Sequence, residues 1–266
     1  MSEPVSGDVK TCCADLYASD WARLLLGESF HPGGLQLTEH VGGLLGLNPT
    51  SRVLDVAAGR GSSAIHLSRR FGCTVVGLEY SAANVMAARV AARSTGLEGL
   101  LSFEEGDAER LRFPDGAFDA VICECAFCTF PNKAAAASEM ARVLRPGGAV
   151  GLADVVRRGA LPEELEGLLA WIACIGDARP AAEYTEHLRE AGLALELSED
   201  QDEALAELVR QIRLRLLTAQ VAARLGRLSL PGADFPAARR MARAAERAVA
   251  DRILGYTLLV ARRPDA

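Results

Sequence analysis

The chain has 266 residues, half of them apolar, with 29 basic against 35 acidic side chains and a net charge of −6. That length suits one α/β domain with additions rather than two full domains, and the acidic balance argues against nucleic acid as a general partner, although arginines gather after Arg210. No apolar run is long enough to span a bilayer and Met1–Lys10 is polar, so the expectation is a cytoplasmic protein with no membrane partner, whose seven cysteines stay thiols.

Residues 1–50 read as an N-terminal segment in three parts. Cys12-Cys13 precedes Ala14–Leu26, whose apolar positions (Leu16, Tyr17, Trp21, Leu24, Leu25) predict one or two short helices. Gly27–Gly34 is a loop by its glycines and proline, and Leu35–Leu47 is a helix. From Ser51 onward strands and helices alternate. Strands are predicted at Val53–Val56, Val75–Leu78, Leu100–Glu104, Ala117–Cys125, Ala149–Val155, Leu193–Leu197 and Tyr256–Ala261. Helices fall at Ser62–Phe71, Asn84–Thr95, Lys133–Leu144, Pro162–Ile175 and Ala181–Gly192. Residues 201–252 form an Ala-, Leu- and Arg-rich helical insertion before the last strand, broken at Pro231-Gly232. The arginines there read as solvated faces of amphipathic helices, with a dimer interface or a substrate cap as the other options. This alternation predicts a doubly wound, seven-stranded, mostly parallel sheet with right-handed crossovers.

Ser51–Tyr80 carries the chemistry. A buried strand runs into a turn of small residues, Ala57-Ala58-Gly59-Arg60-Gly61, then a helix, a second strand and an acid, Glu79. Small residues let a ligand approach the backbone, and the helix start offers unpaired N–H groups. A carboxylate about 20 residues past such a turn accepts ribose hydroxyls in nucleotide-binding βαβ units. Neither G-x-G-x-x-G nor G-x-x-x-x-G-K-[ST] is present, which sets aside dinucleotide and P-loop phosphate sites.

The run Asp55-x-Ala57-x-Gly59-x-Gly61 instead resembles the first motif of class I methyltransferases that use S-adenosylmethionine (SAM). Glu79 ends the second strand, Gly106-Asp107-Ala108-Glu109 follows the third, and Arg142–Gly148 matches the turn before that family's fifth strand. The resemblance implies SAM as cofactor. Asp55 would orient the turn and the methionine amine, Glu79 would take the ribose hydroxyls, and Asp107 would receive the adenine amine. Ala57, Gly59, Arg60, Gly61, Tyr80, Ala108, Glu109 and Glu124 would line the same site. It also implies that residues 1–50 lie over the cofactor mouth as a lid, with residues 51–266 as the methyltransferase domain.

The cysteines refine the reading. Ligands of doubly wound sheets bind beyond the carboxyl ends of the strands. Cys73, at the start of the second strand, therefore reads as core. Cys123 and Cys128 read as small buried hydrophobes. Cys125, at the end of the fourth strand, faces the site. The stretch Glu124–Lys133, together with Leu161-Pro162-Glu163-Glu164 and Trp171-Ile172-Ala173-Cys174, resembles arsenite methyltransferases. That resemblance implies that Cys125 and Cys174 bind As(III), with Cys12 or Cys13 as a third thiol, and that a thiol-conjugated arsenical and a thiol reductant are partners. Three sulfurs leave the arsenic lone pair free for in-line attack, so positioning suffices and no base is needed. The family's separate C-terminal domain has no counterpart here. The alternative enzyme is a C-, O- or N-methyltransferase of a small molecule such as a quinone or polyketide, for which His31 or Glu124 would be the base. A third reading, of another class, is a thiol-based metalloid-binding protein.

Overall fold

The computed structural model of the protein describes residues 10, 24, 27, 31–165, 175–225 and 234–265. Cys12, Cys13 and Cys174 lie outside the described residues, as do most of the helix expected at Ala14–Leu26 and the greater part of the one expected at Pro162–Ile175. Of the latter, the described part is a single 3-10 turn, Glu163–Leu165.

Helix α1, Gly34–Leu44, leads into β1, Arg52–Val56. Then come α2, Ser62–Phe71; β2, Thr74–Glu79; α3, Ala82–Arg93; β3, Leu101–Glu105; and β4, Phe118–Glu124. The second half holds α4, Lys133–Val143; β5, Leu144–Arg157; α5, Ala181–Glu190; and β6, Ala194–Asp200. Helices α6, Asp202–Arg224, and α7, Phe235–Ala250, pack on each other and on the last strand, β7, Leu254–Arg262.

The seven strands order as β3-β2-β1-β4-β5-β7-β6, with β1 to β5 parallel and β7 antiparallel to both β5 and β6. Strand β1 is buried from Val53 onward because helices cover both sheet faces, and its continuous apolar run reflects that. The chain departs from β1 toward β2 on one side and joins β4 on the other. A crevice therefore opens beyond the carboxyl ends of β1 and β4. Register sharpens its position. Val56 pairs with Leu78 on β2 and with Cys123 on β4, so Ala57, Glu79 and Glu124 emerge side by side at one level.

Local chemistry ends the elements where the site needs it. Ser81 accepts the Asn84 N–H to start α3, and Asn132 accepts the Ala135 N–H to start α4. Helix α2 has no side-chain cap at Gly61, and the Ala64 N–H in its first turn donates to Asp55. Gly61 sits at φ 82°, and a Cβ there would stand 2.7 Å from the Phe103 ring, so that turn admits glycine only. One boundary corrects the sequence expectation. β4 ends at Glu124 rather than Cys125, because Cys125 adopts a left-handed backbone, φ 55°, which cannot continue a strand.

Candidate active site

A cavity at the carboxyl ends of β1, β2 and β4 is lined by Asp55, the Ala57–Arg60 turn, Glu79, Tyr80, Asp107, Ala108, Glu124 and Cys125. The turn is bound tightly to its neighbours. Glu79 Oε2 accepts the Gly59 N–H at 2.9 Å while Oε1 accepts the Ser81 N–H at 2.9 Å. Burial raises the Glu79 pKa, and these backbone donors act the other way. Ala57 holds φ 60°, a left-handed conformation that costs an L-residue roughly 1–2 kcal/mol.

Asp55 lies behind this turn, 3% exposed, and its Oδ2 has no hydrogen-bond partner among the described residues. Burial first, then the negative charges of Glu124 and Glu79, hold its carboxyl well above the usual aspartate range. Three acids thus converge on one crevice, and one carries an unfilled acceptor. Such a site calls for a cationic group that also donates hydrogen bonds.

On the far wall, Glu124 gathers hydroxyls from two helices. Thr38 Oγ1 of α1 donates to it at 2.9 Å and Ser63 Oγ of α2 at 2.8 Å. His31 Nε2 stands 3.4 Å from Glu124 Oε2, with both side chains under 5% exposed. His31 also lines the cavity. The carboxylate is therefore anchored by hydroxyls from two helices.

At the opposite end, Asp107 and Glu109 share the ammonium of Lys10. Lys10 Nζ is 3.0 and 2.7 Å from the Asp107 oxygens and 2.7 Å from Glu109 Oε2. Glu109 turns from the cavity wall, and its Oε1 accepts the Asn132 N–H at 2.8 Å.

The thiols sort by depth. Cys73, Cys123 and Cys128 are buried in the core, and burial pushes the Cys73 thiol up to about 11. Cys125 is half-buried on the cavity wall. Among the described residues no group of His, Cys, Asp and Glu is arranged to hold a metal ion. No helix among them is long and apolar enough to cross a membrane.

Residues 54–152 match the family model described as a methyltransferase domain. The 27-O-demethylrifamycin SV methyltransferase of Amycolatopsis mediterranei is 31% identical over 245 residues, 86% of this chain and 84% of that enzyme. The chain belongs to the class I SAM-dependent methyltransferases. Methyltransferase GfsG of Streptomyces halstedii is 34% identical over 165 residues, 61% of this chain; the match spans 59% of the length of GfsG. The fold of this methyltransferase is shared with the cyclase SpnF, at TM-score 0.79 and 24% identity over 100% of this chain and 99% of that one. A cyclopropane synthase from Mycobacterium tuberculosis superposes at TM-score 0.81 and 15% identity, covering 97% and 98% of the two chains.

The cavity of the methyltransferase fits the family's cofactor. The unfilled Asp55 oxygen matches an ammonium, the acids match a sulfonium cation, and the small-residue turn leaves room for a nucleoside against the backbone. The cavity brings together Asp55, Ala57, Gly59, Arg60, Glu79, Tyr80, Asp107, Ala108, Glu124 and Cys125 of the expected set. Gly61 supports it from below, beside Phe103, and Glu109 turns away. Lys10, Thr38 and Ser63 are additions that sequence reasoning passed over.

Proposed function

We propose that this methyltransferase acts on an oxygen of a small polyketide-type molecule, with His31 and Glu124 as the proton-accepting pair. The observation that carries the reading is the His31 Nε2 to Glu124 contact at 3.4 Å, placed on the cavity wall beside Cys125. A hydroxyl acceptor must lose a proton as its oxygen takes the methyl group, so a base within hydrogen-bond reach is needed. The name of the rifamycin relative places its methyl group on an oxygen, and the alignment covers most of both chains.

Asp55, Glu79 and Asp107 are assigned to the cofactor's amine, ribose and adenine. When bound, SAM supplies a methyl group activated by its sulfonium. This chain's own residues then have two tasks. Thr38 and Ser63 fix the Glu124 carboxylate by two hydroxyl hydrogen bonds; with His31 Nδ1 on the Pro32 carbonyl at 3.1 Å, Nε2 is the nitrogen that takes the proton, and Glu124 beside it stabilises the charge. The half-buried Cys125 and the Phe130 ring present an uncharged wall to the acceptor.

An arsenical acceptor is the second reading. Cys125 is the described thiol on the cavity wall and supports it; the relatives named above do not carry it. The test pairs the two. SAM is incubated with hydroxylated polyketides, including 27-O-demethylrifamycin SV, and separately with arsenite plus a thiol; products are read by mass spectrometry. The oxygen reading expects methyl ethers, and a kcat at least 100-fold lower in His31→Asn with SAM affinity unchanged. Wild-type turnover by His31→Asn would remove the base assignment. Methylated arsenic in place of methyl ethers would replace the acceptor.

A further inference from the structure

The adenine end of the cavity holds a cation supplied by the chain itself. Lys10 and Asp107 are 97 residues apart in sequence, yet the ammonium sits 2.7 and 3.0 Å from the two Asp107 oxygens. A third contact, 2.7 Å to Glu109, matches the third N–H. All three donors of the ammonium are therefore satisfied by two acids. The Lys10 side chain is only 15% exposed, against 36% for Asp107. Lys10 lines the same cavity as Asp107, Ala108 and Glu79.

This arrangement conflicts with the role assigned to Asp107. A nucleobase amine and a lysine ammonium are both donors, and both need the Asp107 lone pairs. Asp107 Oδ1 already accepts the Glu109 N–H at 2.9 Å, which leaves fewer positions for a newcomer.

We infer that Lys10 is a cofactor gate: it bonds both Asp107 oxygens, and the adenine amine must compete with it for that carboxylate. Glu109 gives the ammonium a place to stay when Asp107 is surrendered, so exchange does not strand a charge. Lys10 thus opposes cofactor binding while stabilising the empty site. The inference rests on the assignment of Asp107 to adenine and goes beyond it by giving the N-terminal lysine a competing role.

The test uses the full chain with Lys10→Met and Lys10→Arg. Calorimetric titration with SAM and with S-adenosylhomocysteine should show about tenfold tighter binding in Lys10→Met, and wild-type behaviour within a few-fold in Lys10→Arg. A second readout needs no cofactor. The melting temperature of the empty Lys10→Met protein should fall, while the rise caused by saturating SAM should be larger than in the wild type. Equal or weaker SAM binding by Lys10→Met would overturn the gate and make Lys10 part of the binding wall. Failure of the underlying site assignment reads differently: Asp107→Ala would then bind SAM as the wild type does.

Discussion

Glu79 closes β2 and reaches across to the β1 turn, where its Oε2 takes the Gly59 N–H at 2.9 Å. The other oxygen takes the Ser81 N–H at the head of α3, so one carboxylate holds both the glycine turn and the next helix start. This double duty predicts a compound effect. Glu79→Ala should weaken SAM binding at least tenfold, since a hydrogen bond to a charged group contributes about 1.5–3 kcal/mol. It should also lower the melting temperature by a few degrees, because the turn loses its anchor. Calorimetry and thermal melts on the same preparation check both, and unchanged SAM affinity would remove Glu79 from the cofactor site.

Asp55 predicts a pH dependence of opposite sign for stability and for binding. Its folded-state pKa lies above the ordinary value of 3.8, so the empty folded protein binds a proton more readily than the unfolded chain. Stability from this group is present below the unfolded pKa and is lost as pH rises through the window up to the raised value. Asp55→Asn should abolish that decline, leaving the empty protein with a higher melting temperature at neutral pH. SAM binding needs the ionised carboxylate, so wild-type affinity should fall as pH drops through the same window. A flat affinity profile would show that Asp55 meets no cationic group.

Lys133 and Asp177 make a buried ion pair at 2.5 Å, joining the start of α4 to the segment before α5. Lys133 also donates to the Phe130 carbonyl at 3.1 Å, which fixes the wall turn beyond Cys125. Asp177 has a second cation, Arg179, at 2.5 Å, whereas Lys133 has no second carboxylate partner among the described residues. The two removals should therefore differ. Asp177→Ala strands a buried ammonium and should cost about 3 kcal/mol or more. Lys133→Met leaves Asp177 paired with Arg179 and should cost less. Urea unfolding of both variants measures the difference, and equal losses would contradict this asymmetry.

The sheet was legible because its signals are local. Runs such as Val53–Val56, the turn through Gly59 and Gly61, and acids at strand ends need only neighbouring residues to be read. The strand-end rule also separated Cys125 from Cys73. The site's supporting shell was illegible for the same reason. Thr38 and Glu124 are separated by 86 residues, Ser63 and Glu124 by 61, and Lys10 and Asp107 by 97, and no periodicity records such meetings. The arsenic reading came from the likeness of Glu124–Lys133 and of the stretch around Cys174 to arsenite methyltransferases, and a thiol at a strand end has the same appearance in a metalloid site and in a packed wall. Cys128 shows the second use: its side chain is buried and its N–H is held by Asp154 at 3.0 Å.

Cys125 itself separates the two acceptor readings. Its φ of 55° places a non-glycine residue in the left-handed region, and its N–H is pinned to the Ala153 carbonyl at 2.7 Å. Left-handed backbone costs an L-residue roughly 1–2 kcal/mol, and glycine's extra unfolded-state freedom takes back about 0.5–1 kcal/mol. Cys125→Gly should therefore relieve about 0–1.5 kcal/mol of backbone strain, offset by the lost packing of its side chain against the core, while Cys125→Ser keeps the strain and leaves stability near wild type. Activity divides differently. With an oxygen acceptor, Cys125→Ser should retain kcat within a few-fold, because the thiol is only a wall. Cys125→Gly should raise the acceptor KM by opening that wall. With an arsenical acceptor, both substitutions remove a soft ligand, and turnover should vanish in both. Steady-state kinetics on the two variants, with SAM affinity measured alongside, decides it: loss of all methyl transfer in Cys125→Ser at unchanged SAM affinity would sink the oxygen reading.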